Sequence, residues 1–142
     1  MLKFRKATKE DKAFIVDANN SINKLSGVKN KSRLSENFEK DFLENNPKAF
    51  CLIVEDENEK IAFCIYSHTY WATQGSGVYL SNVYVEPKHR RKGVLKAIIN
   101  HLKNMDDVNF ITMLLGNENN VMQNAIKKCG ASEVSMKTFF CK

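Results

Sequence analysis

The chain of 142 residues is long enough for one domain with a real core and too short for two comfortable ones. Its hydrophobic share of 43% and charged share of 27% are those of a soluble globular protein, and no apolar run reaches the roughly 20 residues of a membrane helix. The net charge of +6 suits an anionic ligand or loose nucleic-acid affinity. Met1-Leu2-Lys3-Phe4-Arg5-Lys6 has no apolar leader region, so the expectation is a cytoplasmic protein with no membrane partner.

Leu2 to Ala7 alternates and predicts a first strand. Thr8-Lys9-Glu10-Asp11 has capping-box spacing, and Phe14, Ala18, Ile22 and Leu25 supply one apolar face of the helix it opens. Gly27 to Ser32 reads as a loop. Leu34, Phe38 and Phe42 mark a second helical stripe, ended near Asn45-Asn46-Pro47. Ala49 to Glu55 and Lys60 to Ser67 are apolar, β-branched runs on either side of the polar turn Asp56-Glu57-Asn58-Glu59, the pattern of a hairpin. Thr73 to Gly77 is a second turn, and Val78 to Val85 is the next strand, ended by Glu86-Pro87. A helix over Val94–Asn104, a strand over Asn109–Leu115 and a helix over Asn119–Cys129 follow. Gly130 stops that helix as a good C′ residue. Glu133 to Cys141 reads as a final strand. The order βααβββαβαβ is that of a mixed α/β sheet in a single domain, residues 1–142.

Four cysteines (Cys51, Cys64, Cys129 and Cys141) lie far apart with no C-x-x-C pair, which argues against a metal site and a dense disulfide framework. The strongest chemical signal is His89-Arg90-Arg91-Lys92-Gly93-Val94-Leu95-Lys96, a basic, glycine-bearing turn between a strand and a helix. The first N–H groups of a helix lack internal partners, and the helix dipole is positive there. With cationic side chains added, the turn suits a phosphate or pyrophosphate.

These residues resemble the GNAT superfamily of N-acetyltransferases, across nearly the whole chain. The opening Arg5-x-Ala7-Thr8-x-Glu10-Asp11 is frequent in that family. The turn Arg90-x-x-Gly93-x-Leu95 resembles its acetyl-coenzyme A signature, usually Gln or Arg, two residues, Gly, one residue, then Gly or Ala. The segment Ile65 to Gly93, with Tyr79-Leu80-x-x-Val83-Tyr84-Val85-x-Pro87, looks most like the diamine acetyltransferase branch, and Asn119 with Lys128-Cys129-Gly130-Ala131 resembles a later family motif. The resemblance implies a GNAT-like α/β fold, a mixed central sheet of about six to seven strands flanked by about four helices. It also implies an acetyl-coenzyme A site. The pantetheine arm would pair with the backbone of Val83, Tyr84 and Val85 like an added strand. The pyrophosphate would lie on the amides of Arg91, Lys92, Gly93, Val94, Leu95 and Lys96, beside Arg90, and Asn119 would touch the coenzyme from the next helix. A homodimer is expected from the family.

Several positions depart from the family pattern, Arg91 among them, where another Gly is common. Leu95 stands where Gly or Ala is usual, yet Leu95, Ile98, Ile99 and Leu102 fall on one helical face, so Leu95 can point inward while its N–H faces the ligand. Ile126 stands where many members carry a tyrosine acid, and joins Met122, Ala125 and Cys129 on an apolar stripe. Ser81-Asn82 replaces the acidic pair of the diamine branch.

An alkyl ammonium of pKa about 10.4 is almost wholly protonated at neutral pH, and only the free amine attacks a thioester. Three residues are candidates to move that proton or order a water. His68, near the end of the third strand, is a candidate base because imidazole titrates near neutrality; a surface or core-edge histidine is the alternative. Ser81 either orders a water or is an ordinary strand serine. Tyr84 either donates a proton or is a core aromatic. Positioning alone also gives large effective molarities, so catalysis without a base is a workable scheme. Cys129 has nothing basic predictably adjacent and reads as a structural thiol. Tyr66, Tyr70 and Trp71 either wall a substrate pocket or cap the hairpin.

The expected function is acetyl transfer from acetyl-coenzyme A to a primary amine of a small molecule or peptide, directly within a ternary complex. The loss of the acidic pair and the net charge of +6 make a polyamine a poor acceptor. One alternative is a catalytically degenerate acyl-coenzyme A-binding domain. Another is a basic nucleic-acid-binding module, which the scattered basic residues support least.

Overall fold

Apolar runs in the central strands and alternating residues toward the edges build a five-stranded sheet whose spatial order is the chain order, β1-β2-β3-β4-β5. The strands are β1 (Lys3–Lys6), β2 (Phe50–Asp56), β3 (Glu59–Trp71), β4 (Gly75–Val85) and β5 (Ile111–Thr112). The computed structural model describes residues 1–25 and 32–142, so the loop expected over Gly27 to Ser32 falls, but for Ser32, outside the described residues. The first three pairings are antiparallel and β4 pairs with β5 in parallel. Among the described residues four helices accompany the sheet: α1 (Lys12–Leu25), α2 (Leu34–Phe38), α3 (Val94–Lys103) and α4 (Asn120–Lys128). α2 runs on into a wider π-type turn, Glu39–Leu43. Five strands and four helices come close to the expected count.

Strand alternation sends successive residues to opposite faces and so makes two cores. Ile53, Phe63 and Ile65 pack with Ile15 and Ala18 of α1 and Phe38 of α2. Leu52, Val54, Ala62, Cys64, Val78 and Leu80 pack with Val94, Ile98, Ile99 and Leu102 of α3 and Ile126 of α4. Each such large apolar side chain contributes about 1.5–3 kcal/mol on burial. Ile126 is thus core, as its apolar stripe predicts.

The start of α1 is tied to the sheet by charge. The Thr8 N–H donates to Asp11 Oδ2 at 2.8 Å, the reciprocal half of the capping box. Asp11 is only 1% exposed. Arg5 donates two bonds to it at 2.7 and 3.0 Å, and the Lys60 ammonium lies 2.7 Å away. Burial pushes the Asp11 carboxyl up, but the bonds from Arg5, Lys60 and the Thr8 amide outweigh it and hold the group well below the usual carboxylate range. Between Lys9 and Asp11 the chain makes one tight turn before α1 proper.

The polar turn between β2 and β3 has Glu57 at φ 47° and Asn58 at φ 67°, the left-handed pair that matches the twist of a two-residue hairpin. The next hairpin is longer than the sequence suggests, running to Trp71 and Gly75. Trp71 packs on Phe110 at 4.9 Å. A Cβ at Gly77 would lie 2.6 Å from Phe110, so a side chain there has no room.

Two expectations change. Of the strand foreseen over Asn109–Leu115, Ile111 and Thr112 form the ladder with β4, and Asn109 adds one backbone bond, its N–H donating to the Ser76 carbonyl at 2.9 Å. The final strand foreseen over Glu133–Cys141 is not a strand: residues 131–142 pair with no ladder, and Phe139 and Phe140 are 87% and 81% exposed. β-branched and aromatic residues favour a half-buried pleated surface, and without a neighbouring strand to supply one the preference has nothing to act on.

Candidate active site

β4 carries one residue too many. Leu80 lies opposite Tyr66 and Asn82 opposite Ile65, so Ser81 has no counterpart and forms a bulge. The extra residue resets the alternation. Val78 and Leu80 before it, and Val83 and Val85 after it, share the α3 face. Asn82 reaches α1, and Tyr84 packs on the α1 face with Phe14 and Phe63.

The bulge coincides with the end of pairing on the other side. β5 meets β4 only at Val78 and Tyr79. From Leu80 to Val85 the edge of β4 that faces away from β3 has no partner strand among the described residues. The Val85 carbonyl lies on that edge, because it accepts the Arg90 Nε–H at 2.9 Å. Alternation then places the N–H and C=O of Val83 on the free edge and turns those of Tyr84 toward β3. Of the three residues expected to hold a strand-like ligand, Val83 and Val85 therefore present free backbone, and Tyr84 does not.

The same Arg90 bond fastens the basic turn to the end of this edge, and its guanidinium carbon lies 5.9 Å from the centre of the Tyr84 ring. Pro87–His89 makes one tight turn, Arg91 sits at φ 60° and Gly93 at φ 84°, and α3 begins at Val94. A Cβ on Gly93 would meet nothing within 4 Å, so the glycine serves its left-handed backbone and not a tight fit. No side chain caps α3. The first intrahelical bond comes from the Ala97 N–H at 3.0 Å, which leaves the amides of Val94, Leu95 and Lys96 unpaired within the helix. Arg91, Lys92 and Lys96 are exposed around them. Leu95 is half-buried against the α3 core, as its spacing predicts, so its bulk points away from those amides.

Asn119 caps α4, its Oδ1 accepting the Met122 N–H at 3.3 Å, and its Nδ2 has no partner among the described residues. His68 is exposed on β3, with its ring edge-on to Phe50 at 5.2 Å. Ser81 is exposed and donates its hydroxyl to the Ile65 carbonyl at 3.1 Å. Tyr84 is half-buried; burial raises its hydroxyl above the usual range and Glu86 adds to this, with Arg90 opposing. These three candidates do not converge. His68 stands opposite Val78 and Tyr84 opposite Phe63, which separates them by roughly 15–20 Å of strand.

The remaining sequence candidates resolve by placement. Trp71 closes the hairpin on Phe110, Tyr66 stacks on Phe50 at 5.3 Å, and Tyr70 is exposed. Cys51 and Cys64 are buried, which pushes both thiols up, Cys64 to about 12. Cys129 is half-buried at the end of α4. Among the described residues no three His, Cys, Asp or Glu side chains gather as a metal site. No helix of the described residues is long and apolar enough to cross a membrane.

Sequence reasoning missed the bulge and its partner Asn19. The signal for the bulge was present: the apolar positions run Val78, Leu80, Val83, Val85, a step of three inside a period of two.

Residues 16–131 match the Acetyltransferase (GNAT) family. No curated protein matches the sequence. Among solved structures, a possible acetyltransferase from Clostridium difficile 630 is similar over 100% of this chain and 97% of its own, with TM-score 0.83 and 17% identity. Aminoglycoside 6'-N-acetyltransferase AAC(6')-Ih from Acinetobacter baumannii is similar over 100% and 98%, with TM-score 0.77 and 11% identity. Aminoglycoside N-acetyltransferase AAC(6')-Iy, solved in complex with CoA, is similar over 100% and 95%, with TM-score 0.76 and 16% identity. At such identities these likenesses show the fold, and the family match covers most of the sequence: the chain belongs to the acetyltransferase (GNAT) family.

Proposed function

We propose that this protein is an acetyl-coenzyme A-dependent N-acetyltransferase acting on a primary amine of a small molecule or peptide, by direct transfer within a ternary complex. The observation that carries the proposal is the free edge of β4 after Ser81, fastened through Arg90 to the uncapped start of α3. Val83 and Val85 offer backbone groups to an extended, amide-bearing arm. The amides of Val94, Leu95 and Lys96, with Arg91 and Lys92, offer donors and positive charge to a pyrophosphate. Acetyl-coenzyme A supplies an activated acyl group. The amine's lone pair forms the new C–N bond, the C–S bond breaks, the thiolate departs with the coenzyme, and the amine's proton passes to water. The chain's part is to hold the two reactants together and exclude wrong poses.

A thermal shift tests the binding half. Acetyl-coenzyme A at about 100 times its dissociation constant stabilises by roughly 2.7 kcal/mol. No shift at millimolar coenzyme removes the proposal. Coenzyme A release across a panel of amines tests the catalytic half. A second reading, a domain that binds acyl-coenzyme A without turnover, is favoured by one observation: Ile126, where many members carry a tyrosine acid, is 8% exposed in the core. Binding with no release for any amine selects that reading. The homodimer and the cytoplasmic location stay part of the proposal, and light scattering checks the first.

A further inference from the structure

Asn82 is the first residue after the bulge, where β4 has parted from β5. Its Nδ2 donates to Asn19 Oδ1 of α1 at 3.2 Å. Asn19 is 5% exposed and donates from Nδ2 to Ser32 Oγ at 3.4 Å. Ser32 Oγ also accepts the Leu34 N–H at 3.2 Å, at the start of α2. A buried amide inside an apolar helix face is costly unless it is bonded on both sides, as this one is. In this arrangement the Asn82 amide has its nitrogen toward α1. Its Oδ1 is left with no partner among the described residues.

We propose, building on the acetyltransferase reading, that Asn82 Oδ1 receives an N–H of the acceptor amine, that Asn19 is the residue that positions Asn82, and that the site therefore takes weakly basic amines, such as the α-amino group of a peptide. A carboxamide oxygen accepts hydrogen bonds and does not take a proton. It orients an amine N–H while leaving the lone pair free, but it does nothing to deprotonate an ammonium. Ser81, the other side chain of the bulge, is equally neutral and has its proton engaged with Ile65. The titratable groups on the touching elements are Lys12, Asp17 and Lys24 of α1, Glu59, Lys60, Cys64, Tyr66, His68 and Tyr70 of β3, and Tyr79 and Tyr84 of β4. None of them bonds to Ser81 or Asn82 among the described residues. The acceptor therefore reacts from the fraction that arrives as free amine. At pH 7.5 an α-amine of pKa about 8 is about one quarter free, whereas an alkyl amine of pKa about 10.4 is free in about one molecule in 800.

The test is steady-state kinetics of the full chain with acetyl-coenzyme A, a dipeptide with a free α-amine and no lysine, and a linear diamine. Wild type is expected to favour the dipeptide in kcat/KM by on the order of 10²-fold at pH 7.5. Asn82→Ala is expected to raise the acceptor KM about tenfold and leave the acetyl-coenzyme A KM unchanged. Asn82→Ser is the substitute should Ala fail to fold. Asn19→Leu is expected to reproduce the acceptor effect in wild type and add nothing in the Asn82→Ala background; a merely structural Asn19 gives additive losses instead. A diamine preference in wild type, or an unchanged acceptor KM in both Asn82 variants, overturns the inference while the acetyltransferase reading stands. No turnover by wild type with the dipeptide overturns the inference, and no turnover with any amine of the wider panel overturns the acetyltransferase reading as well.

Discussion

Strands β1 to β3 and strands β4 to β5 contribute to the same two cores but are held together differently. β2 pairs with β3 along its whole length, and Asp11, Arg5, Lys60 and Glu55 fasten β1, β2, β3 and the start of α1. On the other side β5 meets β4 at two residues, Ser81 breaks the ladder register, and a basic turn follows with an uncapped helix start. The first half pairs its charged side chains among themselves. The second leaves backbone amides, a free edge and exposed cations for something else. The proposed site for a long anionic ligand needs such groups unpaired in one place, while the ion pairs of the other half tie the sheet to α1.

The largest effect expected from dividing the molecule this way falls on the ion-paired half. Asp11→Asn leaves Arg5 and Lys60 without their buried counter-charge and should cost about 3–5 kcal/mol of stability. Calorimetry of the variant reads the loss, and the acetyl-coenzyme A affinity of its folded fraction should not change. A selective loss of coenzyme affinity breaks the division. The pH dependence has a definite sign. Asp11 titrates lower folded than unfolded, so the unfolded chain binds the proton first as the solution is acidified. Its contribution is complete above about pH 5 and is lost as pH falls through the carboxylate range toward the folded value. Acid unfolding of Asp11→Asn should lack that portion of the slope. On the open half, Gly93→Asp should abolish most of the roughly 2.7 kcal/mol of stabilisation that saturating acetyl-coenzyme A gives. Gly93→Ala should cost about 1–2 kcal/mol for its left-handed backbone yet keep the ligand shift, since a Cβ there meets nothing.

The two halves also differed in how far the sequence disclosed them. Unbroken apolar runs in Cys51 to Val54 and Ile61 to Ile65, on either side of the Asp56–Glu59 turn, placed the first hairpin's turn and the start of each strand to within a residue, although β3 runs four residues past the expected Ser67. Gly93 and Gly130 marked their helix ends because only a left-handed backbone at those points suits the turn, and both have it. Leu95 and Ile126 followed from helical spacing alone. Failures gathered on the open side. β5 shrank to two residues and Glu133–Cys141 formed no strand, because a strand's existence depends on a neighbour that local pattern does not supply. Asn19 was invisible for a related reason. A polar residue on an amphipathic helix looks exposed until its partner, Asn82, arrives from 63 positions away.

Two smaller perturbations sharpen the comparison at the edge itself. Val83→Pro removes an N–H that alternation places on the free side of β4, so no sheet bond is lost. Stability should fall by about 1 kcal/mol or less, while acetyl-coenzyme A affinity drops about tenfold, close to the worth of one hydrogen bond. An equal drop in stability and no change in affinity, by titration calorimetry, would mean that the free edge binds nothing.

Asn119 stands between the two kinds of residue, because it already has a structural task. Its Oδ1 caps α4, and Asn119→Ala should cost about 1 kcal/mol for that reason alone. Asp caps a helix as well as Asn does, so Asn119→Asp should retain full stability. It also deletes the free Nδ2 donor and sets a negative charge where an anionic coenzyme is proposed to lie. The expected outcome is thus a variant with the melting temperature of wild type and an acetyl-coenzyme A dissociation constant raised by about threefold to tenfold, more at low salt than at high. If both quantities stay at their wild-type values, the side chain is a cap and nothing more, and the coenzyme is held by β4 and the start of α3 without help from α4.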